Sequence, residues 1–138
     1  MLKRRKKVRK KVEWISAPDI DIRLRELIEK LDLNYIKADA VHAFRSTGTK
    51  TRAYARIWGL SRIFQLALGI NPNYVIEVIS EKFDKLKDSQ KDEILIHELV
   101  HIPKSFSGSL APHRRGRKGR LGFEDRVHEL YAKYKRIK

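Results

Sequence analysis

The chain has 138 residues, 41% hydrophobic and 36% charged, which suits one domain with a modest core rather than two domains. It contains no cysteine, so disulfide scaffolds, thiolate metal sites and cysteine nucleophiles are excluded, and a metal would need histidine or carboxylate ligands. The net charge of +15 favours a polyanionic partner. We expect a cytoplasmic protein with no membrane partner, because the sequence lacks a bilayer-length apolar run and the apolar part of a secretory signal.

Residues 1–12 are predicted to form a disordered basic arm, because like charges at this density repel each other and cannot build a core. The arm's basic side chains are Lys3, Arg4, Arg5, Lys6, Lys7, Arg9, Lys10 and Lys11. A second basic cluster consists of Arg114, Arg115, Arg117, Lys118 and Arg120. We expect both segments to contact the phosphates of DNA or RNA, the ribosome included, because each contact releases counterions. The other interpretation of the arm is a solubilising tail.

Residues 13–138 are predicted to form one α+β domain, in which a small mixed β-sheet packs on helices. Apolar residues at helical spacing predict a helix over 19–32. Alternating residues on either side of a turn predict a hairpin over 40–58. The segment 60–68 fits either a short helix or a strand, whereas the β-branched run 74–79 predicts a strand.

Two helices are predicted in the second half of the chain. The first begins at a capping box formed by Ser89 and Asp92, and it ends before Pro103, which disfavours helical geometry in the preceding residue. A polar, glycine-containing and irregular segment, 104–122, separates it from a last amphipathic helix over 123–136.

The sequence His97-Glu98-Leu99-Val100-His101 is an HExxH motif on the first of these helices. Histidines four residues apart project from successive turns of one helix face, so both imidazoles can bind one ion while Glu98 contacts a water beside it. Zinc bound by two histidines and a third ligand keeps one position open, and a water bound there loses its proton near neutral pH. Glu98 would accept that proton and deliver it to the leaving amine. The alternative is a helix with two surface histidines.

The third ligand is expected from the residues that follow the helix. His113 lies twelve residues after His101, on a loop that can fold back under the helix. The alternatives are Glu124 and His128, one turn apart on the last helix. His42, in the predicted β-region, is expected to be a packed or surface residue.

Two further roles each have several candidates. A donor for the tetrahedral oxyanion could be Tyr54, Arg56 or Tyr131. A carboxylate that holds a ligand imidazole in place could be Asp92, Glu93 or Asp125.

Three stretches resemble a metallopeptidase domain family found in archaea and phages, and more distantly the SprT-like zinc peptidases. They are FRSTGTKTRAYARI at 44–57, YVIEV at 74–78 and IHELVHIPKSFSG at 96–108. The resemblance covers about residues 19–135 and is most specific over 96–115. It implies a minimal zincin fold, a zinc site at His97, His101 and His113, and Glu98 as the general base.

We therefore predict a cytoplasmic zinc-dependent metallopeptidase whose protein or peptide substrates are associated with nucleic acid. The alternative is a non-catalytic nucleic-acid- or ribosome-binding protein built on the same fold. Both interpretations use the same basic segments and differ at Glu98, which only a hydrolase requires, so its presence favours the enzyme. A third interpretation is an inactive precursor whose basic N-terminal segment covers the cleft.

Overall fold

The computed structural model describes residues 11–138, so the predicted basic arm lies outside the described residues except for Lys11 and Val12, which are exposed. The elements follow in this order: β1 (Glu13–Ser16), α1 (Pro18–Lys30), a 3-10 turn (Ala38–Ala40), β2 (Val41–Thr47), β3 (Ala55–Gly59), α2 (Arg62–Leu68), β4 (Tyr74–Ile79), α3 (Ser80–Phe83), α4 (Asp88–Val100) and α5 (Phe123–Ile137). The predicted α+β class, with a small mixed sheet packed on helices, is confirmed. None of the helices described here is long and apolar enough to cross a bilayer.

The four strands lie in the order β1-β2-β4-β3, with β2 parallel to β4 and the two outer strands antiparallel to their neighbours. The predicted hairpin over 40–58 is therefore wrong, because β4 lies between β2 and β3. Four of the six β4 residues are apolar and fully buried, so this strand takes an inner position, whereas β3 carries exposed Trp58 just before its last residue and fits an edge. A parallel pair needs a crossover connection, and β3 with α2 supplies it.

The core lies between one face of the sheet and the helices α1, α4 and α5. The sheet contributes inward residues that include Ala43, Ala55, Tyr74, Ile76 and Val78, and the helices contribute Leu24, Leu27, Leu95, Leu99, Val127 and Leu130. Because side chains alternate along a strand, the neighbouring residues point to the opposite side of the sheet. This opposite side, which we term the outer face, carries Trp14, Phe44, Glu77 and Trp58.

The structure confirms several predicted elements and corrects one helix start. The helices predicted over 19–32 and 123–136 and the strand over 74–79 are present, and the segment 60–68 contains a helix. Ser89 and Asp92 do not form the predicted capping box. The backbone N–H of Lys87 donates to the Gln90 side chain at 3.1 Å, whereas Asp92 is buried and accepts a hydrogen bond from Arg23 at 2.7 Å.

Candidate metal centre

The three histidines predicted to bind metal come together at one point. His97 lies on α4, His101 directly follows its last residue, and His113 lies on the segment between α4 and α5. One ligand atom from each histidine lies within 4.8 Å of the other two. The Nε2 atoms of His97 and His113 are 3.1 Å apart. Two imidazole nitrogens bound to one tetrahedral zinc at about 2.0–2.1 Å would be about 3.3 Å apart, so this donor set fits a zinc ion.

The irregular segment after α4 returns His113 to the helix, as the sequence predicts. Its middle is fixed to the sheet by Tyr74, whose hydroxyl donates to the carbonyl of Ser109 and accepts from the N–H of Gly108, both at 2.8 Å. Gly108 has a φ of +94°, and a Cβ there would lie 2.2 Å from the carbonyl oxygen of Leu60. Only glycine fits a backbone that has a positive φ and lies this close to the backbone of Leu60.

Two interactions orient the ligand rings, and the sequence analysis identified neither. The Nδ1 atom of His101 lies 2.6 Å from the carbonyl oxygen of Ala111, which requires a proton on Nδ1 and leaves Nε2 free for a metal. The Nδ1 atom of His97 lies 3.8 Å from a carboxylate oxygen of Glu124. A backbone carbonyl has no side-chain signature, and Glu124 was considered only as a direct ligand.

The carboxylates that were predicted to hold the histidines have other positions. Asp92 pairs with Arg23 and Lys138, Asp125 accepts from the backbone N–H of Gly122 at 3.3 Å, and Glu93 lines the cavity beside the histidines. His128, the other alternative ligand on α5, is exposed and does not belong to the histidine cluster.

Phe123, the first residue of α5, forms an aromatic wall against the cluster. Its ring centroid lies 4.8, 4.4 and 4.6 Å from those of His97, His101 and His113. The sequence predicted residue 123 only as the start of the last amphipathic helix. In the structure it limits the movement of all three imidazoles and removes water from one side of them.

Burial sets the protonation of the cluster. It lowers the pKa of His97 and of His101, and repulsion between neighbouring imidazolium groups lowers both further. Both rings are therefore neutral at physiological pH, which is the form that binds metal.

Glu98 lies in the wall of an open cavity next to His97, with only 7% of its surface exposed. Burial raises the pKa of its carboxyl to about 8. The other lining residues are Tyr54, Ala55, Glu93, Ile94, Glu124 and Val127. The motif thus places an acid–base group in the wall of the same cavity as His97, one member of the histidine cluster.

Of the predicted oxyanion donors, only Tyr54 lines this cavity. Arg56 is bound to Glu77 on the outer face, and the ring of Tyr131 lies 4.8 Å from the ammonium group of Lys135. His42 is exposed on the outer face, where it contacts the Asn73 side chain at 2.9 Å, in agreement with its predicted surface role.

The second basic cluster lies directly after His113. Its backbone turns between Arg117 and Arg120, which exchange N–H to carbonyl hydrogen bonds of 2.9 and 2.8 Å. Four of its arginines line a shallow pocket with Phe123 and Arg126; they are Arg114, Arg115, Arg117 and Arg120. Within residues 11–138 the basic groups of this cluster have no ion-pair partner, so their charge is available to an anion.

A protein family described as "Putative phage metallopeptidase" matches residues 12–135 of the chain. The matched region contains all four strands and every helix except the last two residues of α5. It also contains the histidine cluster and Glu98. Comparison with curated proteins and with solved structures gives no match.

Proposed function

Because the chain belongs to this phage metallopeptidase family, we propose that it hydrolyses peptide bonds with a zinc ion bound by His97, His101 and His113. The observation that carries the proposal is the cluster of His97, His101 and His113 beside a cavity whose wall contains His97 and the buried Glu98. When bound, zinc would act as a Lewis acid and lower the pKa of a water in its open position.

Glu98 is proposed as the general base and then the general acid. It follows a ligand histidine directly and lies in the cavity wall, so its carboxylate can accept a proton from the attacking water. Its burial disfavours the charged form, which makes it a good proton donor to the leaving amine in the next step. Tyr54, in the same wall, is the best-placed donor to the oxyanion.

An extended peptide is the substrate form that the cavity favours. Strand β3 pairs with β4, and on its other side the described chain supplies no further strand, so backbone groups remain available there. Ala55, its first residue, lines the cavity together with Tyr54. A substrate could add to this edge as a further strand, which would carry its peptide bond past Glu98.

Substrates bound to DNA or RNA are proposed on the basis of charge. The net charge is +15, and the unpaired arginines at 114–120 follow the ligand His113. A polyanion near the cavity would concentrate bound proteins there. The same arginines would serve a non-catalytic nucleic-acid-binding protein, which is the alternative function.

Replacing Glu98 by Gln separates the two functions. We expect Glu98→Gln to keep its zinc, measured by elemental analysis, and to lose cleavage of an unfolded protein substrate by orders of magnitude, because the amide cannot accept the proton. Glu93→Gln, in the same cavity and on the same helix, is the control and should keep most of its activity. Equal turnover in the Glu98→Gln and wild-type proteins would reject Glu98 as the base.

A further inference from the structure

The outer face of the sheet exposes both tryptophans of the chain. Trp14 on β1 is 56% exposed and Trp58 on β3 is 50% exposed, and half-buried Phe44 lies on β2 between these edge strands. Large apolar rings with this much exposure on one sheet face are unusual for a surface that has no partner. Within residues 11–138, no element covers these two tryptophans.

An ion pair between half-buried Arg56 and buried Glu77 holds one of the rings in place. Glu77, at the centre of the outer face, accepts hydrogen bonds from Nε of Arg56 at 2.9 Å and from Nε1 of Trp58 at 2.8 Å. The Arg56 guanidinium also lies 5.1 Å from the centroid of the Trp58 ring. This network fixes the indole orientation before anything binds, and it places a cation beside an exposed aromatic surface.

The register gives the spacing of the rings. Trp14 is in register with Ser46 and Ile79, whereas Trp58 is in register with Val75, four residues earlier on β4. Three strand spacings and four residues of rise place the two tryptophans about 20 Å apart, along a diagonal of the sheet. Phe44 lies near the middle of this diagonal. Sheets with exposed aromatic residues bind about two or three unpaired bases in this way.

The charge of the chain identifies the occupant. The segment 1–10 contains seven basic residues and no acid, and in the sequence it precedes Lys11, two residues before β1 begins at Glu13. Exposed Lys50 and Arg52 lie on the connection between β2 and β3. An apolar protein partner would use the rings but not these cations. Duplex DNA would use the cations but hides the faces of its bases.

We propose that the outer face is a stacking platform for single-stranded nucleic acid. Trp14, Phe44 and Trp58 stack on bases, and the basic residues beside the platform neutralise the backbone. The proposal rests on the nucleic-acid association described above but is independent of peptide hydrolysis, and it concerns a surface on the other side of the sheet from the metal centre.

Intrinsic fluorescence tests the platform, because both tryptophans of the full-length protein lie on it. At low salt, we expect oligo-dT and oligo-U of twelve nucleotides to quench this fluorescence, and a DNA duplex to bind without quenching it. Trp14→Leu and Trp58→Leu should each weaken single-strand binding by about tenfold or more, since a stacked base contributes about 1–3 kcal/mol. Phe64→Leu, which changes an exposed aromatic residue on α2, should bind like the wild type.

Circular dichroism of each variant controls for folding. Tight single-strand binding without quenching, unchanged in both tryptophan variants, would reject the platform and leave the nucleic-acid association to the basic segments. Failure of every nucleic acid to bind at low salt would reject both the platform and the proposed nucleic-acid association, and would leave the proposed peptide hydrolysis unaffected. Protein dimerisation that buries the tryptophans would identify the outer face as an interface between two copies and would also reject the platform.

Discussion

His101 and Ala111 form two reciprocal hydrogen bonds. The imidazole Nδ1–H of His101 donates to the carbonyl of Ala111 at 2.6 Å, and the N–H of Ala111 donates to the carbonyl of His101 at 2.7 Å. This pair joins the end of α4 to the segment that carries His113, two residues further on. The second and third candidate ligands are therefore positioned together by the backbone, before any metal binds.

The third ligand can be tested directly. We expect His113→Ala to weaken zinc binding by more than about 100-fold, since loss of a residue that only orients a ligand already costs about 10- to 100-fold. His128→Ala, on exposed α5 surface outside the cluster, is the control and should bind zinc normally. Competition with a chromophoric chelator measures both affinities, and the reverse pattern would assign the ligand to α5.

The close approach of Gly108 to Leu60 predicts a positional effect on the metal centre. Gly108→Ala should destabilise the fold by about 2–4 kcal/mol and lower zinc affinity, because a Cβ would displace the segment that leads to His113. Gly69→Ala is the matched control, since Gly69 also has a positive φ but has open space around its Cβ position. It should cost only about 1 kcal/mol of conformational strain. Urea unfolding of the two variants measures the difference, and equal losses would contradict the steric argument.

Stability at low pH should depend on Arg45. The hydrogen bond from this guanidinium lowers the pKa of Asp19. At Asp84 burial raises the pKa of the carboxyl, but the hydrogen bonds from Arg45 and Ser80 and the charges of Arg45 and Lys91 together lower it. Carboxyls with lowered pKa values stabilise the fold above their unfolded pKa of about 3.9, and this contribution is lost as the pH falls through the folded values.

We expect Arg45→Met to lower the free energy of unfolding by about 1 kcal/mol at neutral pH, because the partial exposure of both acids limits the effect. In this variant the free energy of unfolding should also fall less steeply as the pH is lowered. Thermal unfolding between pH 2 and 7 measures both effects. The exposed pair of Arg25 and Asp39 supplies the control, Arg25→Met, which should behave like the wild type. An unchanged acid profile in Arg45→Met would contradict the assignment.

The basic N-terminal segment should control the salt dependence of nucleic-acid binding. Deleting residues 2–11 removes eight basic side chains, so the steepness of log K against log salt should fall by up to about 6 for a single strand and about 7 for duplex DNA. Zinc content should not change. Substituting Gln for Arg117, Lys118 and Arg120 tests the other cluster separately. Identical affinity and slope after the deletion would identify the segment as a solubilising tail.

The parts of the site that depend on local spacing were predictable from the sequence. The positions of His97, Glu98 and His101 follow from helical periodicity alone, and a short return loop explains His113. The orienting carbonyl of Ala111 was not predictable, because every residue has a carbonyl and only the folded backbone selects one. The contact of Phe123 with three imidazoles likewise depends on how α5 packs across α4.

The fold shows the same division between local and long-range information. The amphipathic patterns of α1 and α5 identified both helices, because each pattern lies within one segment. The predicted hairpin over 40–58 was wrong because the sequences of β2 and β3 do not show that β4 will lie between them. Strand β4 begins fifteen residues after β3 ends. Asp92 was taken for a helix cap because its partner, Arg23, is remote in sequence.

The insertion of β4 between β2 and β3 also limits the order of folding. Strand β3 is made before β4 but has no partner in the sheet until β4 has been made, so it cannot join the sheet early. The pairing of β2 with β4 joins residues 33 positions apart in sequence, such as Val41 and Tyr74, and such long-range contacts form slowly. During synthesis, the β3 wall of the cavity is therefore completed only after β4 has emerged from the ribosome. A newly made chain has no finished cleft until most of it has been translated.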